Sequence, residues 1–231
     1  MKRETLLAII TLIIYFILLV LISIAAFMHK EKWRRILKPF FLSLVSILFI
    51  VIAPKEPLVY IAFIFASLGD VLILFEAIFD NPKFFPIGAV AFFVSHILNL
   101  VIMIVYTNSH FPGVFNLYYY IGIAIIFVVV STIVILVARK FLDKFMTAAS
   151  ALYYAPSFVN LIITLVLAIQ TQQLFFLIFT IGMLFFIASD ITIFKEHYYK
   201  QQKYDEGVIL STYFIAEFFI AVSYLLMLGI F

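Results

Sequence analysis

Two aspartates stand inside apolar runs with matching surroundings. Asp70 follows Phe65-Ala66-Ser67-Leu68-Gly69 and precedes Val71-Leu72-Ile73-Leu74, and Asp190 follows Phe186-Ile187-Ala188-Ser189 and precedes Ile191-Thr192-Ile193-Phe194. A carboxylate in hydrocarbon costs several kcal/mol unless it has a partner, a proton or a water-filled cavity. Two of them, each behind a small residue, point to a shared polar pocket inside a membrane bundle. Paired carboxyls support general acid and base work, because close acidic groups in a low-dielectric site leave one protonated beside one charged. Packing is the plainer reading, since an intramembrane Asp can also serve only to hydrogen-bond a neighbouring helix.

The elements that must hold these residues follow from composition. The chain has 231 residues, 67% hydrophobic and 12% charged, with a mean hydropathy of +1.25. Soluble domains carry about 25% charged residues, so this is an all-α, polytopic membrane protein with little room for a soluble domain. It has no cysteine, which excludes disulfides and thiolate metal sites. The apolar run from Thr5 to Met28 exceeds a signal-peptide core of about 7–15 residues and reads as a first span. Apolar stretches predict eight transmembrane helices, near 5–28, 39–53, 57–79, 86–107, 117–138, 145–168, 173–194 and 207–230. The second is short and is expected to begin nearer Trp33, with Arg34, Arg35 and Lys38 snorkelling to the interface. The whole chain, 1–231, reads as a single eight-helix domain.

Eight spans place both termini on one side and the loops at 29–38, 80–85, 139–144 and 195–206 on the other. Those four loops hold 12 of the 15 Lys and Arg residues, and the terminal side holds only Lys2, Arg3 and Lys55. The positive-inside rule then puts the loops in the cytoplasm and both termini outside. The basic run Lys30-Glu31-Lys32-Trp33-Arg34-Arg35 is also suited to anionic headgroups. Tyr106 with Tyr118, Tyr119 and Tyr120 reads as an outer aromatic belt, and Tyr198 with Tyr199 as an inner one. Glu76, Asp80 and Glu196 are expected at the interface in contact with water.

Depth follows from helical rise. Asp70 is expected about 13 Å from the cytoplasmic end of its helix, His96 and Glu217 about 15 Å, and Asp190 about 6 Å. Tyr153, Tyr154 and Tyr213 fall in the same cytoplasmic half, while the outer half is expected to be almost wholly apolar apart from Asn99 and Asn160. A channel or carrier needs polar residues along its path or a midplane site. A one-sided cavity instead fits an enzyme or receptor that admits an amphiphile. Gly69 and Gly88 are expected to permit close helix approach. Asp70…Glu76 and Asp190…Glu196 also align at an offset of 120 residues, which allows a parallel four-helix repeat of 1–116 and 117–231 or chance similarity in a biased composition.

Gly69-Asp70, Phe85-Pro86-Ile87-Gly88-x-x-x-Phe92-x-x-x-His96, Ser189-Asp190 and Ser211-Thr212-Tyr213-Phe214-x-x-Glu217 occur in one order along the chain. Together they resemble the YhhN family, whose animal members are lysoplasmalogenases. The resemblance covers essentially the whole chain. It implies a membrane hydrolase that cleaves the vinyl ether bond of lysoplasmalogens to a fatty aldehyde and a glycerophospho-base. It carries the family's two functional aspartates to Asp70 and Asp190 and its buried histidine to His96. Two positions depart from the family pattern: Glu217 stands where Gln is frequent, and Asn99 where an aromatic is frequent.

The expected mechanism starts with proton transfer to the vinyl β-carbon, giving an oxocarbenium ion that water captures, as in glycosidase chemistry. Asp70 and Asp190 are expected as the catalytic pair, with His96, Tyr154, Tyr213, Glu217 and Ser189 contacting substrate. His96 alone also reads as a satisfied core histidine. No cofactor, resident metal or nucleic-acid partner is expected; the partners are a lysophospholipid and membrane lipids. The alternatives are a metal-dependent lipid hydrolase using Asp70, His96 and Asp190, a small-molecule transporter, or a receptor. A bacterial inner membrane with the site toward the cytoplasm is the expected location.

Overall fold

In a bilayer every backbone N–H and C=O must be satisfied within the protein, so a chain this apolar folds as helices or a closed barrel. Long runs of Leu, Ile, Phe and Ala without period-2 alternation select helices. The computed structural model describes residues 3–28, 31–79, 81, 83–140, 144–198 and 205–231, with every side chain among them except those at 31–40, 77, 85, 145, 146, 149, 152, 194–198 and 206. The side chains of the basic residues between 30 and 38 and between 195 and 203, and of Asp80, Glu196, Tyr198 and Tyr199, therefore lie outside the described residues.

Eight helices and no strand occur among the described residues: α1 (Arg3–Phe27), α2 (Glu31–Ile52), α3 (Pro57–Phe79), α4 (Phe84–His110), α5 (Leu117–Ala138), α6 (Lys144–Thr171), α7 (Leu174–Tyr198) and α8 (Asp205–Met227). Seven are long and apolar enough to cross a membrane; α2 contributes the shorter apolar stretch Phe41–Ile52 behind a basic first half. The chain is thus a polytopic helical membrane bundle. Helices α3 and α5 keep their expected bounds and α8 stops three residues short of its expected end, whereas α2, α4, α6 and α7 run past theirs, because amphipathic interfacial residues continue the helical hydrogen bonding beyond the apolar run. Most consequential is α7, which reaches Tyr198 rather than 194. Asp190 therefore lies eight residues from its helix end, about 12 Å rather than 6 Å in.

The helices form a closed round: α3 packs on α2 and α4, α4 on α6, α6 on α7, α7 on α8, and α8 on α1. Helix α5 leans on α6 and buries only Ala138 completely. Side chains such as Ile125, Val128, Val129 and Ile133 on α5, and Ile13, Phe16 and Ile17 on α1, face outward, as hydrocarbon-facing residues do. The core is aromatic. Phe41 stacks on Phe214 with centroids 3.8 Å apart, Phe49 on Phe63 at 5.2 Å, and Tyr224 meets Phe49, Phe63 and Phe179 edge-on.

Two glycines allow helix backbones to approach closely. A β-carbon on Gly88 of α4 would stand 3.1 Å from the Gly69 carbonyl of α3, and one on Gly182 of α7 would stand 3.0 Å from the Ala216 carbonyl of α8. In both cases the obstruction is backbone, which cannot rotate away. Small residues at such crossings let helices gain dispersion contacts that lipid would otherwise provide. Pro156 sits inside α6 and removes the helical donor for the Leu152 carbonyl.

The α7–α8 contact yields a direct expectation. Gly182→Val should force the two helices apart and cost about 1–3 kcal/mol, read as a lower unfolding midpoint in detergent with secondary structure retained.

Candidate functional site

Counting residues from the basic-loop end of each helix explains which groups meet. Asp70 lies nine residues before the end of α3, Phe92 eight after the start of α4, and Tyr153 nine after the start of α6. Asp190 lies eight before the end of α7, and Tyr213 eight after the start of α8. At 1.5 Å per residue all five fall in one layer about 12–14 Å deep, and all five line one cavity of about 50 Å3. Ile73, Ile193 and Ile209, each half-buried, line the same cavity nearer the helix ends. Its mouth therefore opens toward the basic loops through an isoleucine rim.

Both carboxylates are almost wholly removed from solvent, Asp70 at 1% and Asp190 at 3% exposure. Each accepts a hydrogen bond from a tyrosine on another helix. The Tyr213 hydroxyl donates to Oδ2 of Asp70 at 3.0 Å, and the Tyr153 hydroxyl donates to Oδ1 of Asp190 at 3.1 Å. A phenol suits this position because its ring is apolar and only its tip is polar. Oδ2 of Asp190 is buried and has no hydrogen-bond partner among the described residues. The rings interlock beneath: Phe92 meets Tyr153 and Tyr213 edge-on at 6.4 and 6.1 Å, and Phe186 meets Tyr213 at 5.7 Å. Phe92 reaches this place because Gly69 has no side chain; a β-carbon there would fall 2.6 Å from the Phe92 ring.

The residues expected to contact substrate divide. Tyr213 lines the cavity, and so does Ser189, whose hydroxyl donates to the Ile209 carbonyl at 3.0 Å and ties α7 to α8. The Tyr154 hydroxyl donates to the backbone carbonyl of Asp190 at 3.0 Å, away from the carboxylate. His96 and Glu217, each twelve residues into its helix, lie one turn deeper and do not line the cavity. Glu217 stands on the Tyr213 face of α8 and is within electrostatic reach of Asp70. Among the described residues no three His, Asp or Glu side chains gather to hold a metal ion. The set Asp70, His96 and Asp190 therefore gains no geometric support as a metal site.

Tyr153, and not the expected Tyr154, is the tyrosine that lines the cavity and bonds the Asp190 carboxylate. Adjacent helical residues point about 100° apart, and Tyr153 bonds the carboxylate where Tyr154 bonds the backbone carbonyl. The signal was present: Tyr153, Ser157, Asn160 and Thr164 recur at helical spacing and form a polar stripe on α6. The outer half of the bundle is also less apolar than expected. Thr164 pairs with Thr180 at 3.0 Å, Tyr224 donates to Asn99 at 2.6 Å, and Ser223 donates to the Phe175 carbonyl at 2.8 Å. These hydroxyl contacts join α6, α7, α8 and α4, consistent with a packing role.

The fold and site define an integral membrane protein whose helices enclose two tyrosine-bonded aspartates near one end of the bundle. A model of the YhhN family matches residues 11–224, and the chain belongs to that family. No curated protein and no solved structure matches it.

The tyrosine–aspartate contacts can be weighed by a double-mutant cycle. Tyr213→Phe should lower stability by about 1–3 kcal/mol, since a buried acceptor loses a donor. The same change in an Asp70→Asn background should cost measurably less, read by unfolding in detergent.

Proposed function

We propose that this protein is a membrane-embedded hydrolase that cleaves the vinyl ether bond of a lysoplasmalogen-type lysophospholipid. The observation that carries the reading is the placement of Asp70 and Asp190 on one cavity, each held by a tyrosine hydroxyl. Membership of a family that includes lysoplasmalogenases supports it.

The cavity, at about 50 Å3, matches the few atoms of the reacting group rather than a whole lipid. The chain and headgroup would lie past Ile73, Ile193 and Ile209, which must part to admit them. The acyl-like chain then rests on isoleucine and phenylalanine, and the headgroup meets the basic loops. By the charge distribution of those loops, this end faces the cytoplasm.

Chemistry at the pair proceeds as follows. A protonated carboxyl gives its proton to the vinyl β-carbon, and the electron pair of the C=C bond forms the new C–H bond. The resulting oxocarbenium ion is stabilised by the second carboxylate, which lines the same cavity, is held by its tyrosine and is poorly screened. Water adds to the cationic carbon and yields its extra proton to a carboxylate. The hemiacetal then breaks its C–O bond to release the alcohol and the aldehyde. Asp190, with one oxygen held by Tyr153 and the other without a hydrogen-bond partner among the described residues, suits proton exchange with substrate. Asp70, beside Tyr213 and Glu217, suits charge stabilisation.

Purified protein should release fatty aldehyde from a lysoplasmalogen. Asp70→Asn and Asp190→Asn should each lower kcat by at least about a hundredfold, the scale of general acid–base catalysis, with helical content unchanged. Full turnover by both variants would refute this mechanism.

A further inference from the structure

Behind the cavity, on the side away from its mouth, lies a cluster that the proposed acid chemistry leaves unused. His96, Ser157 and Asn160 are 2%, 0% and 0% exposed, and all carry polar atoms without a hydrogen-bond partner among the described residues. These are both ring nitrogens of His96, the Ser157 hydroxyl and the Asn160 side-chain oxygen. The groups are neighbours. The Asn160 amide donates to the His96 backbone carbonyl at 2.8 Å, which clasps α6 to α4. The His96 ring lies 6.2 Å from the Tyr153 ring and 4.6 Å from the Phe186 ring, centroid to centroid. Ser157 is one turn beyond Tyr153 and three residues before Asn160, on the same face of α6. Pro156 adds a carbonyl, that of Leu152, without its helical donor.

Such a concentration of unpaired polar atoms is uncommon in a native interior, where the large majority of buried polar groups have a partner. Leaving a buried polar atom unpaired is costly, and apolar residues at these positions would have avoided that cost. Buried water satisfies such groups, typically with about three hydrogen bonds per molecule. A neutral imidazole supplies one donor and one acceptor, a hydroxyl supplies both, and an amide oxygen accepts. That set suits water and offers no fixed charge to an ion.

We propose that His96, Ser157 and Asn160 form a water-binding annex on the deep side of the cavity, which supplies the nucleophilic water past Tyr153, the side chain that lines the cavity and also meets the His96 ring. The inference rests on the hydrolase reading for its consequence and on the annex geometry for its existence. It answers a problem that reading creates. A lipid chain seated in the isoleucine rim closes the mouth to solvent, yet the oxocarbenium ion needs one water. Water's oxygen forms the new C–O bond, its proton passes to a cavity carboxylate, and the annex refills between turnovers. His96, Ser157 and Asn160 are on this account positioning residues, acting through the water they hold.

Two variants and one probe test this. Ser157→Ala removes a hydroxyl that has no protein partner among the described residues, and His96→Phe keeps the ring contact with Phe186 while removing both nitrogens. Each should lower kcat about tenfold to a hundredfold, the scale of a misplaced reactant, leave KM within about twofold and leave the unfolding midpoint unchanged or higher. Undiminished kcat in both, or a loss of kcat that only tracks a loss of stability, overturns the supply role. Radiolytic hydroxyl labelling in water, followed by mass spectrometry, reads the annex without turnover. His96, which belongs to the annex and does not line the cavity, should be labelled in the unaltered protein and much less in Ser157→Val. Equal labelling in both overturns the annex whatever the activity. Absent aldehyde release from the unaltered protein, together with Ser157-dependent labelling, would instead refute the hydrolase reading and the supply role while leaving a buried hydration site.

Discussion

A carboxylate inside a bilayer has no bulk water to satisfy it, and the bundle is arranged around that constraint. Asp70 and Asp190 sit on helices that would otherwise be continuous apolar spans. Each draws a tyrosine hydroxyl from a different helix, Tyr213 from α8 and Tyr153 from α6. Those two bonds and the ring contacts of Phe92 and Phe186 beneath them connect α3, α4, α6, α7 and α8 around one small cavity. The polar contacts are few, but in a low-dielectric surrounding each is costly to break. The same contacts that make the fold tolerate the acids also aim them at a common space.

The second requirement is closeness. Gly69 serves two ends at once: its backbone accepts the near approach of α4 at Gly88, and its missing side chain admits the Phe92 ring beside Asp70. Gly182 does the equivalent for α7 and α8, where Ser189 then reaches the Ile209 carbonyl. Helix contact and site shape are thus set by the same residues. Helix α5 stands apart from this arrangement, leaning on α6 with its remaining surface turned outward.

Much of this was legible in the sequence. Buried Asp, His and Glu contrast sharply with a chain that is 67% hydrophobic, so Asp70, Asp190, His96 and Glu217 could be picked out, and the spans followed from run length. Helix ends were less visible, because residues such as Lys195, Glu196 and Tyr198 end an apolar run without ending a helix. That error put Asp190 too shallow and hid its shared layer with Asp70. The apolar wall of the cavity, with Ile73, Phe92 and Ile209, had no contrast against its neighbours. Tyr153 and Tyr154 differ only in helical phase, and it is Tyr153 that shares the phase of Ser157 and Asn160. His96 and Glu217 were found by type, and only their depth shows that they stand one turn behind the cavity.

The central claim is that Asp70 and Asp190 line a single cavity. The chain has no cysteine, so the double variant Asp70→Cys/Asp190→Cys carries only the two thiols of interest. The decisive measurement is intramolecular cross-linking of that variant in membranes by a short bifunctional thiol reagent, followed by mass spectrometry of the joined peptides. The account predicts a linked α3–α7 peptide pair at high yield. Two cysteines that each react singly but never become joined would contradict it.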